Sequence, residues 1–319
     1  MKFKNKKYFI WPSPKNIGGL RVILSFPNIQ MIEEELYKMF PSGYPVLCSS
    51  GRSALSLVLQ NLKMTRSNTI GLFPYASHCV IDAVSRNCTP LFGKDSINAD
   101  LRIVNHQWGF VQEKDLNSNT IEDCVDTLCK SGTDLFPGGG SFEIWSLPKI
   151  LGSSCGGILW CKDEKTASEI RNLRNKRNGG LLQWILRLLS HRSKIIYYYW
   201  NGAECNGGML SRFQTGEILH AIKKWALIFE DRKIKINNLW HLAPKFIQKP
   251  TNRLPSVIPF MTDIEETKLI NLGLLSGYRK FNIVDKHNIS RLVDVLPIPI
   301  HQDITQLELL YLINKLNLR

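Results

Sequence analysis

The stretch YPVLCSSGRSALSLVLQNL, residues 44–62, decides the reading of the fold. Its opening, with Val46 and Leu47, reads as a short strand that runs out at Ser49-Ser50. Gly51 follows, and then apolar residues recur at helical spacing, so a helix starts where the strand stops. A Gly at that junction lets backbone amides approach an anion, and a helix N-terminus favours negative charge. Arg52 and the hydroxyls of Ser50 and Ser53 can add charge-assisted bonds to a phosphate. A plain N-cap and tight turn account for the same residues equally well.

Outward from this stretch the alternation continues. QMIEEELYKMF (30–40) has helical spacing and ends at Pro41, TIGLFP is a strand, HCVIDAVSRN a helix and TPLFG a strand. LRIVNHQWG and SNTIEDCVD read as further buried strands, and SFEIWSL and SCGGILWCKD frame a turn bearing Lys149. Strands alternating with helices predict an α/β fold around a mostly parallel, doubly wound sheet. After Asp163 the texture changes to long basic helices through about residue 245, with 216–243 reading as one helix. Then SVIPFM, IEETKLINLGLL, VDVLPIPI and ITQLELLYLINKL read as strand, helix, strand, helix, the last capped within Asp303 to Thr305. The expected organisation is a tail (1–14), a large unit (15–245) and a small C-terminal α/β domain (246–319), divided near Pro250 and Pro255.

The 319 residues are 44% hydrophobic and 21% charged, which excludes disordered, collagen-like and coiled-coil classes. The formal net charge of +14 favours anionic partners. It is regional: residues 2–7 hold four Lys, and residues 162–250 hold 17 Lys or Arg against 7 acids. A solvated basic face explains such a run, as does attraction of an anionic ligand through Arg174, Lys176 and Arg177. The eight Cys form no Cys-x-x-Cys pair, so no metal site is expected, and they read as reduced thiols of a cytoplasmic protein. No apolar run of signal-peptide length follows the basic N-terminus. The best candidate membrane span, 181–200, is broken by Arg187, Arg192 and Lys194. No zinc spacing, helix-turn-helix or RNA-binding aromatic motif points to nucleic acid.

Three more elements could carry chemistry. Tyr75-Ala76-Ser77-His78 follows a strand, where Tyr75 or His78 can stack on a planar ligand or simply line the core rim. Glu122-Asp123 ends an apolar strand, where an Asp can hold a protonated ring nitrogen or cap the next helix. Lys149, after Ser146-Leu147-Pro148, stands in an apolar stretch before Gly156-Gly157. Burial there lowers the pKa of a lysine, as imine formation requires, whereas a snorkelling surface Lys needs no such setting.

Taken in order, phosphate turn, stacking ring, strand-end Asp, and Lys before a Gly-Gly strand resemble the fold-type I pyridoxal phosphate enzymes. The set is most similar to the DegT/DnrJ/EryC1/StrS sugar aminotransferases. Ser50 to Leu55 resembles that family's Ser-Gly-Thr-x-Ala-Leu motif, Pro74 to His78 its Pro-x-x-Thr-Phe segment, and Val104 to Gly109 its Val-x-His-x-x-Gly strand end. Ile121 to Cys124 resembles Ile-Glu-Asp-Ala, and Val295 to His301 a strand near the C-terminus. Arg212, with Glu217 through Arg232, resembles the long helix after the cofactor domain. The resemblance runs from about residue 15 to the end of the chain.

The resemblance implies a fold-type I large domain and a smaller C-terminal domain, with pyridoxal 5'-phosphate on Lys149 as a Schiff base. It implies that Asp123 keeps the pyridine nitrogen protonated, that Ser50, Gly51, Arg52 and Ser146 grip the phosphate, and that His78 stacks on the ring. An amino group, commonly from glutamate, would pass to a nucleotide-linked keto sugar for a surface polysaccharide. Family members are typically homodimers in which a partner Asn reaches the phosphate, and Asn206 is the candidate here. The chain departs from the pattern at four places. Ile144 stands where a phosphate-binding Ser is usual, leaving Ser146 or Ser141 to compensate. Asp126 stands where Gln or His contacts the phenolic oxygen, Arg52 replaces Thr, and His78 replaces Phe. These departures keep two other readings in play, a lyase or dehydratase using the same cofactor and a non-catalytic binding protein on the same fold.

Overall fold

The computed structural model describes residues 6–13, 27–112, 119–177, 185–186, 189, 193–245, 247–284 and 290–318. Much of the basic run at 178–192, with Arg187 and Arg192, lies outside the described residues, as do 1–5 and 14 of the N-terminal tail.

Helix α1 (Ile29–Met39), N-capped by Asn28, leads into strand β1 (Tyr44–Cys48), and β1 runs directly into α2 (Gly51–Asn61). There follow β2 (Thr69–Gly71), α3 (His78–Ser85), β3 (Thr89–Leu91), β4 (Leu101–Asn105), β5 (Thr120–Asp123) and β6 (Leu128–Cys129). Next come β7 (Phe142–Ser146), α4 (Leu147–Leu151), β8 (Gly157–Cys161) and α5 (Glu164–Lys176). Seven of these strands form one sheet in the order β1-β8-β7-β5-β4-β2-β3. The run from β7 to β3 is parallel, and β8 alone lies antiparallel to both its neighbours.

Both faces of this sheet are covered, so the strands alternate between two apolar layers rather than between core and water. Val46, Ile103, Ile121, Ile144 and Leu159 pack on one face. Leu47, Trp145, Ile158 and Trp160 pack on the other, with Phe40 and Trp225. The turn bearing Lys149 is itself helical: α4 has Pro148 in its first turn and ends at Gly152 in the left-handed conformation.

The expected single helix over 216–243 is two, α7 (Arg212–Ile222) and α8 (Trp225–Leu239), after α6 (Lys194–Ala203). The chain turns at Lys223-Lys224, and the turn delivers Trp225 into the core. There its Nε1 donates to the Cys129 carbonyl at 2.7 Å and its ring stacks on Trp145. Strand β9 (Arg253–Leu254) pairs with β6. Strands β10 (Val257–Phe260), β11 (Arg279–Val284) and β12 (Ser290–Pro299) form an antiparallel sheet with β12 in the centre. Helix α9 (Glu266–Asn271) precedes β11, and α10 (Gln306–Leu316) closes the described chain, capped reciprocally by Thr305 and Glu308. Strand β11 is absent from the sequence reading because Arg279, Lys280 and Asn282 dilute its apolar alternation.

The basic surplus is partly internal, which removes Arg174 both from a solvated face and from a patch with Lys176 and Arg177 that attracts an anionic ligand. Arg174 is buried and pairs with Glu33 at 2.6 Å, and Arg171 holds the other Glu33 oxygen at 2.8 Å. Arg177 donates to the Cys205 carbonyl, Ser56 and Gln60. Arg232 and Lys235 are buried as well. None of the eight cysteines lies in a disulfide. Among the described residues no helix is long and apolar enough to cross a membrane.

Candidate active site

The ends of β5 and β7 and the β1–α2 turn meet at one edge of the parallel strands, where open α/β sheets bind ligands. The turn is shaped from the side of β8. Gly156 N donates to the Ser49 carbonyl at 2.9 Å. A Cβ on Gly157 would fall on the Ser50 carbonyl carbon and 2.6 Å from Gly51 N, so only glycine allows β8 to lie against the turn. Ser50 caps α2 by accepting from Ser53 N at 3.1 Å, which leaves its hydroxyl proton for a ligand. A Cβ built on Gly51 would lie 3.9 Å from Ser146 Cβ, so Ser146 borders the turn. Ser141 begins at the opposite end of β7, where its N–H pairs with Thr120, and Ile144 is in the core. Of the two serines that could replace the usual phosphate ligand, Ser146 is the one beside the turn.

Arg52 pairs with Glu204 at 3.1 Å. Glu204 belongs to the turn Glu204–Asn206, tied to α2 by the bond from Ser53 Oγ to the Gly207 carbonyl. Asn206 is exposed on that turn, against the phosphate-turn helix of its own chain.

Asp123 closes β5, 7% exposed. Its Oδ1 accepts from Val125 N at 3.3 Å. Burial pushes its carboxyl above the usual range, opposed by Lys149 and reinforced by Asp126. A cation beside such a buried carboxyl favours its ionised form; Lys149 is one, and a protonated ring nitrogen would be another. Lys149 lies within the field of both acids: its Nζ is 3.3 Å from Asp126 Oδ1. Burial pulls the lysine's pKa down, but Asp126, Asp123 and Cys79 outweigh it and hold the ammonium above its ordinary value. This reverses the expectation that burial alone would lower it. Asp126 turns toward Lys149 and toward Trp11, whose Nε1 donates to the same Oδ1 at 2.7 Å. The Lys149 Nζ also stands 4.6 Å from the Trp11 ring centroid.

His78 is the first residue of α3 and is exposed. Tyr75 is half-buried: its hydroxyl accepts from Gln112 at 3.2 Å, and its acidity is suppressed chiefly by burial and, last, by Asp123. Glu122, beside Asp123, faces away from this group. It takes the amides of Gly138 and Gly140 and the Nε2–H of His106, whose Nδ1 accepts from Gln112 N. Cys124 is also near, with its buried thiol held protonated and accepting from Arg253, while Glu122 is occupied by His106 and two backbone amides. Sequence reasoning missed Glu204 and Trp11. Neither carries a local signal, since both reach the site through long-range packing.

The arrangement is a glycine turn after β1, a buried acid at the end of β5 and an amine just past β7, gathered at one edge of the sheet. These residues fit pyridoxal phosphate: Gly157 lets β8 lie against the turn, Ser50 keeps a hydroxyl proton to donate, and Asp123 is a buried acid at the neighbouring strand end. A family model described as "Putative PLP-dependent aminotransferase" matches residues 32–316. No curated protein matches the chain. Among solved structures, the apo form of the putative sugar aminotransferase Spr1654 from Streptococcus pneumoniae superposes with a TM-score of 0.67 at 11% identity, covering 98% of both chains. PseC from Helicobacter pylori, an aminotransferase involved in the biosynthesis of pseudoaminic acid, superposes with a TM-score of 0.63 at 12% identity, again covering 98% of both. A DegT DnrJ EryC1 StrS aminotransferase from Brucella abortus gives a TM-score of 0.58 at 13% identity, covering 95% of this chain and 91% of that one. With the fold of the DegT/DnrJ/EryC1/StrS enzymes and a family match over nearly its whole length, the chain belongs to the PLP-dependent aminotransferases.

Proposed function

We propose that the chain transfers an amino group, from a donor such as glutamate, to a nucleotide-linked keto sugar destined for a surface polysaccharide. The observation that carries the reading is the grouping of Lys149, paired with Asp126, and the strand-end Asp123 with Ser146 bordering the turn at Gly51. The sugar assignment draws on what Spr1654 and PseC are named for.

When bound, pyridoxal phosphate supplies an electron sink for the charge left on a carbon that loses its proton. The chain's residues supply the rest. Ser50, the amides at Gly51 and Arg52, and Ser146 hold the phosphate. Arg52 shares its guanidinium between the phosphate and Glu204. Asp123 holds the ring nitrogen in its protonated form, and that cation in turn lets Asp123 ionise. Lys149 would hold the cofactor through its Nζ, and as a free amine it would serve as the acid and base that moves the donor's proton. His78, at the mouth of the site, covers a ring face. In a homodimer, Asn206 would reach the phosphate of the partner's site. Eight cysteines without a disulfide accord with a reducing, cytoplasmic setting.

One spectrum tests this. Protein purified with the cofactor should show an absorbance band near the visible edge, lost in Lys149→Ala, and glutamate should bleach it with release of 2-oxoglutarate. A protein that never develops the band overturns the reading. A sugar consumed without any donor would turn it into an elimination.

A further inference from the structure

Residues 6–13 run as a strap across the molecule. Lys6 pairs with Glu308 at 2.6 Å, and Tyr8 exchanges backbone bonds with Gly273 and Leu275. The Phe9 carbonyl lies 3.0 Å from His301 Nε2, and Ser13 N donates to Asp303. The strap ends against α4, where a Cβ on Gly152 would meet Pro12 and the Ser13 carbonyl. Anchored at both ends, it sets Trp11 over the one lysine of α4.

Three contacts then close a triangle. The Trp11 indole N–H donates to Asp126 Oδ1, Asp126 Oδ1 pairs with Lys149 Nζ, and Nζ faces the Trp11 ring. The indole N–H fixes the carboxylate in the rotamer that meets the amine, and the ring's negative face attracts the same ammonium. We propose that Trp11 and Asp126 are positioning residues for Lys149, a device carried by the strap that aims the amine and favours its protonated form. The proposal rests on the role given to Lys149 above. Its consequence for the reaction is direct: a lysine that must take up a proton is assisted by a fixed carboxylate, and one that must release it is slowed.

Asp126, three residues past the end of β5, and the Trp11 ring touch Lys149, while Asp123 at the strand end and Cys79 of α3 act on it electrostatically. Asp126 also feels Arg232 of α8. Asp126 is thus the nearest of the charges that decide the lysine's protonation.

The test uses cofactor-free protein, so it stands apart from whether the cofactor binds. Lys149 is titrated by competitive labelling with acetic anhydride across pH, read by mass spectrometry, with thermal melts as the check on folding. In Asp126→Asn the midpoint should fall by about one pH unit, so labelling below the midpoint becomes about tenfold faster. Asp126→Glu should restore most of the original midpoint. Trp11→Phe, which keeps a ring and loses the N–H, should shift it the same way by less. Trp11→Phe should add nothing in the Asp126→Asn background, because both changes break one linkage. An unchanged midpoint in Asp126→Asn, or shifts that simply add, would overturn the proposal. Failure of the cofactor reading would appear instead as a missing absorbance band with the labelling results intact.

Discussion

Gly157 matters for what it lacks. The β1–α2 turn leans on its Cα, and the neighbouring atoms are backbone, which cannot swing aside as a side chain would. Gly157→Ala should therefore displace the turn rather than a rotamer. A strained insertion of one methyl costs about 1–3 kcal/mol, and the turn is the phosphate site proposed above. The expected result is cofactor binding weakened about tenfold or more, since each tenfold is about 1.4 kcal/mol, with a modest drop in melting temperature. A cofactor titration followed by absorbance measures it, and unchanged affinity would separate the turn from the phosphate. The Gly156-Gly157 pair was legible in the sequence because glycine in an apolar strand has few explanations. The choice of Ser146 over Ser141 was not, because it depends on which end of β7 meets the turn.

At the scale of elements, α1, β1 and α5 are joined by one carboxylate. Glu33 of α1 accepts from Leu47 N of β1 at 2.8 Å and from Arg171 and Arg174 of α5. Arg174 also donates to the Leu47 carbonyl at 2.8 Å. Glu33→Gln keeps the size but leaves the buried Arg174 without a countercharge, a loss of about 3–5 kcal/mol by analogy with other broken buried pairs. Urea denaturation should show a lower midpoint at unchanged slope, and an unmoved midpoint would mean water already screens the pair. The elements themselves were largely readable. The strand–Gly–helix junction at 44–62, the strand ends at Asp123 and Ser146 and the capped α10 each rest on local pattern. The break between α7 and α8 did not show, because Lys223-Lys224 are good helix formers and the turn is imposed by burying Trp225 against Phe40 and Trp145. Nor did the fate of the basic run. Composition counts Arg174 and Arg177 as surface charge, whereas Glu33 and the Cys205 carbonyl that bind them are remote in sequence.

The whole molecule is held by what crosses it, and the strap at 6–13 is the longest such crossing among the described residues, reaching partners near residue 301. His301 is its most pH-sensitive anchor. Its ring is buried, with Nε2 on the Phe9 carbonyl and Nδ1 accepting from Asp303 N at 3.4 Å, so the neutral Nε2–H form fits the site. Burial first, then the neighbouring cations Arg232 and Lys235, push its pKa down from 6.5 to about 4, against the pull of the Phe9 carbonyl and Asp303. A folded pKa below the unfolded one means the unfolded chain binds the proton first. Stability from this group is whole above pH 6.5 and is lost as pH falls toward about 4. Glu308, the partner of Lys6, also has a lowered pKa, but from 4.5, so its contribution disappears only at more acid pH. The two anchors should therefore fail in sequence, His301 first. Melting temperature followed from pH 7.5 to 4 should decline over the upper part of that range in the native protein and stay flatter there in His301→Gln, whose amide can still donate to Phe9. Identical profiles for the two proteins would show that His301 titrates alike in both states and that the strap is held by other means.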